Sequence, residues 1–340
     1  MIWKELMKDS PNNHPKKIFD ALASFLVRSD LQIRLLLFPL VLLGILIILT
    51  LIDNNLQTQS QSLKLRNINS GQSWTDYPSL IYNFQPTISA VSAIIMDANS
   101  HKILYQKNPY VHASMASTTK LMTALVGLDY YKSDDILTIK RNYVEGSGLH
   151  FFAGEQFRFI DLLYAMFLPS ANDAAMALAD NYPGGEKVFV AAMNAKAKAL
   201  HLANTAYEDP AGLDDPGDYT TVGNLAELAD IVYHQPLLHK IFGTKNWYIM
   251  TVDKKYGYPL TNLNQLLGQD GVVGIKTGTT EEAGQVLITA KQNGSHAYII
   301  IVMDSINRFA DTLTLLHLID NNVRYTTEPE MESGLLARYQ

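Results

Sequence analysis

The sequence contains no cysteine among its 340 residues. This absence excludes a disulfide framework, a thiolate zinc site, an iron–sulfur cluster and a cysteine nucleophile. Basic residues are not in excess either, since the net charge is −6, and this argues against a nucleic-acid partner. The histidines show no ligand spacing of the His-Glu-x-x-His kind, so we expect no metal site and no cofactor.

One long apolar run stands near the N-terminus. Leu35 to Ile52 is an uncharged stretch of 18 residues, which as a helix spans about 27 Å, close to the ~30 Å of a bilayer core. Helices of soluble proteins almost always keep a polar stripe, which argues against a buried core helix, and a cleaved signal peptide has a shorter apolar region followed by a small-x-small site. The run is too long for the latter, and no such site follows it. The sequence therefore predicts an uncleaved transmembrane signal anchor.

The flanking charges predict the orientation of this anchor. Six Lys and Arg residues precede the run, whereas only Lys64 and Arg66 occur in the twenty residues after it. Because positive charge is retained on the cytoplasmic side, we expect a single-pass protein of the cell membrane. Its N-terminus would be cytoplasmic and everything after residue 52 extracellular.

Composition divides the chain into five segments. The stretch after the anchor is rich in Asn, Gln and Ser and lacks an apolar period, which is typical of a flexible spacer. The predicted segments are a cytoplasmic tail (1–34), the anchor (35–52), an extracellular spacer (53–79), a catalytic domain (80–325) and a C-terminal tail (326–340).

The extracellular domain has strands at both ends and helices between them. Residues 91–96 and 102–105 predict a hairpin, and Asn293-Gly294 predicts another late in the chain. The stretch between them contains apolar residues at helical spacing, including a predicted helix over 161–181. This order predicts an α/β fold in which one sheet is built from both ends of the domain and covered by helices.

Ser117 and Lys120 form the first candidate catalytic pair. Their i, i+3 spacing at the start of a predicted helix places the hydroxyl and the amine on one face. A serine needs an adjacent base to act as a nucleophile, and an amine serves as that base only when it is neutral. The alternative is a solvated pair on a helix surface, and the motif alone does not distinguish the two.

Two further short motifs follow. Ser170-Ala171-Asn172 is weak by itself, because Ser170 could simply cap the helix that follows it. Lys276-Thr277-Gly278 ends a predicted strand, where a lysine and a hydroxyl can hold a carboxylate. A glycine there leaves room for a ligand backbone. The alternative is an ordinary strand end followed by a turn.

Together and in this order, the three motifs resemble those of the serine D-alanyl-D-alanine carboxypeptidases, the low-molecular-mass penicillin-binding proteins. The resemblance runs from about residue 88 to 311 and includes the blocks ASMASTTKLMTALV, LLYAMFLPSANDAAMALAD and GVVGIKTGTTEEAG. It implies a β-lactamase/DD-transpeptidase-like fold, with an antiparallel sheet covered by helices on both faces and a helical lobe.

The resemblance also implies a reaction. Ser117 would attack the carbonyl between the two terminal D-alanines of a peptidoglycan stem pentapeptide, forming an acyl-enzyme. Lys120 would take the proton of Ser117, and Ser170 would relay a proton toward the leaving amine. Asn172 would bind Lys120 and the substrate peptide. β-Lactam antibiotics would acylate Ser117 by the same steps and act as covalent inhibitors.

The third motif is implied to bind substrate. Lys276 and Thr277 would hold the terminal carboxylate, and the backbone N–H groups of Ser117 and Thr279 would form the oxyanion hole. Gly278 completes the substrate-binding set. The middle motif has Ala where many relatives have Gly, and position 279 is Thr where some have His.

Two other functions are compatible with this superfamily. A class A-like β-lactamase would need a deacylating glutamate in a Glu-x-x-Leu-Asn string between the second and third motifs, and no such string is present. A catalytically silent penicillin-binding scaffold is disfavoured because every motif residue is present. We therefore expect a serine D-Ala-D-Ala carboxypeptidase of the bacterial cell wall.

Overall fold

A computed structural model of the protein describes residues 77–143 and 145–326. The predicted cytoplasmic tail and transmembrane anchor (1–34 and 35–52) lie outside these residues. Within the described ranges no helix has the length and apolar character required to cross a membrane. The anchor therefore remains a prediction.

Most strands lie at the two ends of the described domain, and most helices lie between them, as predicted. The strands are β1 (Tyr77–Leu80), β2 (Ser92–Asp97), β3 (Ile103–Lys107), β4 (Ile136–Thr138), β5 (Gln156–Arg158), β6 (Asn246–Met250), β7 (Gly257–Thr261), β8 (Val272–Thr280), β9 (Gly284–Asn293), β10 (His296–Ser305) and β11 (Val323–Thr326). The helices are α1 (Lys120–Tyr130), α2 (Phe159–Phe167), α3 (Asn172–Asn181), α4 (Glu186–Ala199), α5 (Val222–Tyr233), α6 (Pro236–Phe242) and α7 (Arg308–Ile319), and a 3-10 turn (Ala116–Thr119) leads into α1.

The central sheet joins the two ends of the domain, as predicted. Its five strands lie in the order β3-β2-β10-β9-β8 and all neighbours are antiparallel. Both predicted hairpins are present, β2 with β3 and β9 with β10, the second closed at Asn293 opposite His296. Strand β1 pairs with β11 in a separate two-stranded sheet.

Helices cover both faces of the central sheet. Ile299 and Ile301 of β10 lie in one core cluster with residues of α1 to α6, whereas Ile300 and Val302 lie in a second cluster with α7. Alternate residues of a strand point to opposite faces, so the single strand β10 contributes to both cores. The larger cluster includes the helical lobe, whose inner edge carries the polar residues described below.

The structure corrects one helix prediction. The segment 161–181 is not one helix, because α2 ends at Phe167 and α3 begins at Asn172. Pro169 lacks a backbone N–H, and Ser170 adopts a left-handed conformation with φ +65°, so the chain cannot remain helical here. The break separates Ser170 from the helix and sets it at the edge of the helical lobe.

Candidate active site

Ser117 lies in the 3-10 turn immediately before Lys120 begins α1. The Lys120 Nζ is 2.8 Å from the Ser117 Oγ, so the i, i+3 pairing expected from the sequence is present. Ser117 is partly exposed, whereas Lys120 is fully buried. Ala116 has φ +46°, a strained conformation for a residue with a side chain, and this strain is found directly beside the candidate nucleophile.

The Lys120 amine has two further oxygen neighbours. It donates to Asn172 Oδ1 at 2.7 Å and to the Ala211 carbonyl at 2.6 Å. Burial lowers the pKa of Lys120 to about 7, although the negative charges of Asp209 and Asp173 act in the opposite direction. A substantial fraction of this amine is therefore neutral at physiological pH, and the surface-pair alternative is wrong.

Asn172 is held by a loop to which the sequence assigned no role. Its side-chain Nδ2 donates to the Glu145 carbonyl at 3.1 Å, and its backbone N–H donates to the Ser147 carbonyl at 2.7 Å. The first contact fixes the amide so that Oδ1 faces Lys120. Gly146 has φ +68°, and a Cβ there would lie 2.4 Å from the Asn172 Nδ2, so the glycine is required.

Ser170 is not a helix cap. The residue that caps α3 is Ala171, without a side-chain hydrogen bond, and the Ser170 Oγ instead accepts a hydrogen bond of 2.7 Å from Lys276 Nζ. Ser170 is buried, with 4% of its surface exposed. The second and third motifs therefore meet through a direct contact between two buried side chains.

Lys276, Thr277, Gly278 and Thr279 all lie on β8, the edge strand of the central sheet. Lys276 is buried and also donates to the Thr277 carbonyl at 2.8 Å. Burial lowers the pKa of Lys276 well below its usual value, and the positive charges of Lys120 and Arg308 lower it further. Two buried amines in one small site disfavour the doubly charged state.

Gly278 permits a close approach within the chain itself. A Cβ at this position would lie 3.0 Å from the Ala116 Cβ and 3.2 Å from the Ser117 backbone N. The 3-10 turn packs against β8 at this glycine, and the predicted approach of a ligand backbone stays a prediction. The glycine therefore brings the candidate nucleophile to the edge of the sheet.

Arg308 belongs to the site and was missed. Its Nη1 donates to the Gly278 carbonyl at 2.7 Å and to the Thr279 Oγ1. One signal was available in the sequence, because Arg308 is the first residue of a helix, where a positive charge is disfavoured by the helix dipole. An arginine at the start of a helix therefore suggests that its side chain has a specific hydrogen-bond partner.

The fold and these contacts define the class of protein. Residues 81–307 match the model of the D-alanyl-D-alanine carboxypeptidase family, peptidase S11, and the chain belongs to this family. The protein is accordingly a serine-type D-Ala-D-Ala peptidase of the penicillin-binding class.

Individual relatives and structures are similar to the chain over most of its length. A D-alanyl-D-alanine endopeptidase of Pseudomonas aeruginosa is 34% identical over 240 residues, covering 68% of this chain and 77% of that protein. A D-alanyl-D-alanine carboxypeptidase of Escherichia coli is 34% identical over 261 residues, covering 71% and 64%. The crystal structure of the Streptomyces K15 DD-transpeptidase superposes with a TM-score of 0.66 at 30% identity and covers 69% of this chain and 98% of that one.

Proposed function

We propose that Ser117 is the nucleophile of this peptidase and Lys120 its base. The observation that carries the proposal is the 2.8 Å contact between a partly exposed hydroxyl and a fully buried amine whose pKa lies at about 7. Lys120 would accept the proton as the Ser117 Oγ attacks the carbonyl between the two D-alanines. The backbone N–H groups of Ser117 and Thr279 would stabilise the oxyanion.

The other polar groups have roles that follow from their places in the network. Lys276, Thr277 and Arg308 would hold the free carboxylate of the substrate, since the Arg308 guanidinium lies beside β8 and the bound carboxylate would favour the protonated form of Lys276. Ser170, whose Oγ is hydrogen-bonded to Lys276, would relay a proton to the leaving D-alanine amine. Water would then release the shortened peptide from Ser117.

The experiment is the pair of variants Ser117→Ala and Ser295→Ala, the latter in an exposed hairpin turn. Ser117→Ala should lose both D-alanine release from a D-Ala-D-Ala pentapeptide and covalent labelling by a fluorescent penicillin. Ser295→Ala should keep both at the wild-type level. Retained labelling of Ser117→Ala would refute the assignment of the nucleophile.

A second activity, cleavage of cross-linked peptides, is favoured by one feature of the surface. An open cleft of about 610 Å³ adjoins the proposed carboxylate site and is lined by Thr279, Gln285, Arg308 and Phe309, among others. A cross-link has a larger leaving group than free D-alanine, and this cleft offers room for it. Supplying a purified cross-linked peptide dimer to the wild-type enzyme tests the idea, and an intact dimer after complete turnover of the pentapeptide would refute it.

We further propose that the chain is anchored in the cell membrane with its catalytic domain outside. The support is the apolar run 35–52 and the excess of basic residues before it. The full-length protein should stay with membranes after a high-salt wash, because screening charges does not displace buried apolar residues. Protein released into the medium with its N-terminus just after residue 53 would show a cleaved signal peptide instead.

A further inference from the structure

The surroundings of Lys120 fix the direction of its lone pair. A neutral amine has two N–H donors and one lone pair, and Lys120 has three polar neighbours. Two of them, Asn172 Oδ1 and the Ala211 carbonyl, can only accept. If both N–H groups point to these oxygens, the lone pair must point to Ser117, whose hydroxyl can donate. The Ala211 carbonyl is thus one of the two acceptors that orient the lone pair of Lys120 toward Ser117.

Asp209 holds this carbonyl in place. Its carboxylate accepts hydrogen bonds from the backbone N–H groups of Ala211, of Gly212 at 2.8 Å and of Leu213 at 2.9 Å. Because three consecutive backbone N–H groups donate to one buried carboxylate, the backbone of this turn has little conformational freedom. Asp209 is therefore a turn-forming residue in this structure.

Two further contacts attach the same turn to α1 and to the 3-10 turn that carries Ser117. Thr123 of α1 donates through its Oγ1 to the Pro210 carbonyl at 2.6 Å. Gly212, with φ +79°, packs so closely on the 3-10 turn that a Cβ would lie 1.9 Å from the Ala116 carbonyl oxygen. The segment 209–213 therefore lies directly against both the nucleophile's turn and the helix that carries the base.

We propose that Asp209 is a positioning residue for acylation: its carboxylate folds the 210–213 turn and presents the Ala211 carbonyl to the Lys120 amine, which directs the lone pair at Ser117. This inference rests on the proposed role of Lys120 as the base. The hydrogen bonds of Asp209 go to the 211–213 backbone, so it acts on Lys120 through Ala211 and through its charge.

Charge gives the proposal a signature that a merely structural role lacks. The groups that face Lys120 are Asp209, Asp173 on α3 and Lys276 on β8, and the Asp209 charge favours the protonated amine. Asp209→Asn should therefore lower the maximal acylation rate and also move the acidic limb of the pH profile to lower pH. Asp209→Glu keeps the charge but displaces the oxygens, so it should lower the rate and leave the limb in place.

Asp218 must be controlled for, because it faces Asp209. Burial, together with the Asp209 charge, raises the pKa of Asp218 to about 8, so this group will ionise more readily once that charge is removed. The Asp209→Asn comparison is therefore repeated in an Asp218→Asn background. The matched control is Asp215→Asn, since Asp215 accepts the Gly217 N–H at 2.9 Å in the same loop but is exposed.

The measurement is the second-order rate of labelling by a fluorescent penicillin between pH 5 and pH 9, divided by the active fraction from a titration with excess penicillin. We expect losses between about tenfold and a hundredfold for Asp209→Asn and Asp209→Glu. The limb should shift only in Asp209→Asn, and Asp215→Asn should match the wild type.

Two results would overturn the proposal. One is a wild-type rate and limb in Asp209→Asn. The other is a lower labelling rate in Asp209→Asn that returns to the wild-type value once it is divided by the active fraction, with the acidic limb at the wild-type pH. If Asp209→Asn does not fold, the labelling rate of Asp209→Glu per active enzyme decides: a loss of about tenfold or more supports the proposal, and a wild-type rate overturns it. The adduct of each variant is located on its peptide by mass spectrometry, and an adduct away from Ser117 would refute the proposed nucleophile rather than the role of Asp209.

Discussion

The buried amine of Lys120 predicts a specific dependence of acylation on pH. Its pKa is lowered to about 7, so the neutral form is present above pH 7 and is lost as the pH falls. The neutral fraction would be about 91% at pH 8, about 9% at pH 6 and about 1% at pH 5. If the neutral amine is the base, acylation should fall about tenfold from pH 8 to pH 6 and about a further tenfold to pH 5.

The assay is the labelling rate with penicillin well below saturation, because this rate reports the ionisation of the free enzyme. The penicillin carboxylate stays ionised over this range, so the reagent does not add a limb of its own. Far-ultraviolet circular dichroism at each pH shows that the fold persists. Lys120→Ala serves as the control, and its small residual rate should lack the limb.

A flat profile from pH 8 to pH 5 in the wild type, with the fold intact, would refute the reasoning. It would mean that the proton of Ser117 goes to a group other than Lys120. A limb that survives in Lys120→Ala would lead to the same conclusion, since the titrating group would then lie elsewhere.

Three further outcomes follow from the contacts. Gly278→Ala adds a Cβ 3.2 Å from the Ser117 backbone N, so the rate of labelling by penicillin should fall between about tenfold and a hundredfold. The control is Gly223→Ala, whose added Cβ has its nearest neighbour at 3.4 Å, and it should be labelled at the wild-type rate. The penicilloyl adduct should last for minutes or longer by mass spectrometry, because no deacylating Glu-x-x-Leu-Asn string is present, and rapid penicillin turnover would contradict this. A D-Ala-D-Ala peptide with an amidated C-terminus should be cleaved far more slowly than the free acid in a D-alanine release assay, and equal rates would remove the carboxylate role of Lys276 and Arg308.

The features predicted correctly from the sequence are those with a local signal. The Asn293-Gly294 turn specifies its hairpin, and the i, i+3 spacing of Ser117 and Lys120 specifies their contact once a helix is assumed. The central sheet was also predictable, since its long apolar strands stand at both ends of the domain. The hairpin and the Ser117–Lys120 contact are defined by neighbouring residues, whereas the pairing of β2 with β10 joins apolar strands from opposite ends of the domain.

The missed strands are short or exposed. Strands β4 and β5 contain three residues each, which is too few to show an alternating pattern. Strand β6 has four exposed residues out of five, so it has no buried face to produce one. These strands exist because of pairing and packing with distant segments, which a single sequence does not display.

The missed site residues act through backbone atoms or over long separations. The carbonyls of Glu145 and Ala211 bind Asn172 and Lys120, and a backbone carbonyl carries no mark in the sequence. Arg308 meets Gly278 across 30 positions of chain, and the antiparallel pairing of β8, β9 and β10 brings the two together. Short motifs predict the side chains of a site, but they do not predict the backbone groups that hold those side chains in position.

The two buried lysines divide their roles because their surroundings differ. Lys120 faces three oxygens and lies near the charges of Asp209 and Asp173, whereas Lys276 lies near the positive charge of Arg308. Without substrate, burial lowers the pKa of both amines. A bound carboxylate would place a negative charge beside Lys276 and Arg308, so it would favour the protonated form of Lys276. That charge would in turn keep Lys120 neutral, so the carboxylate the enzyme selects would also help prepare the base that attacks the peptide.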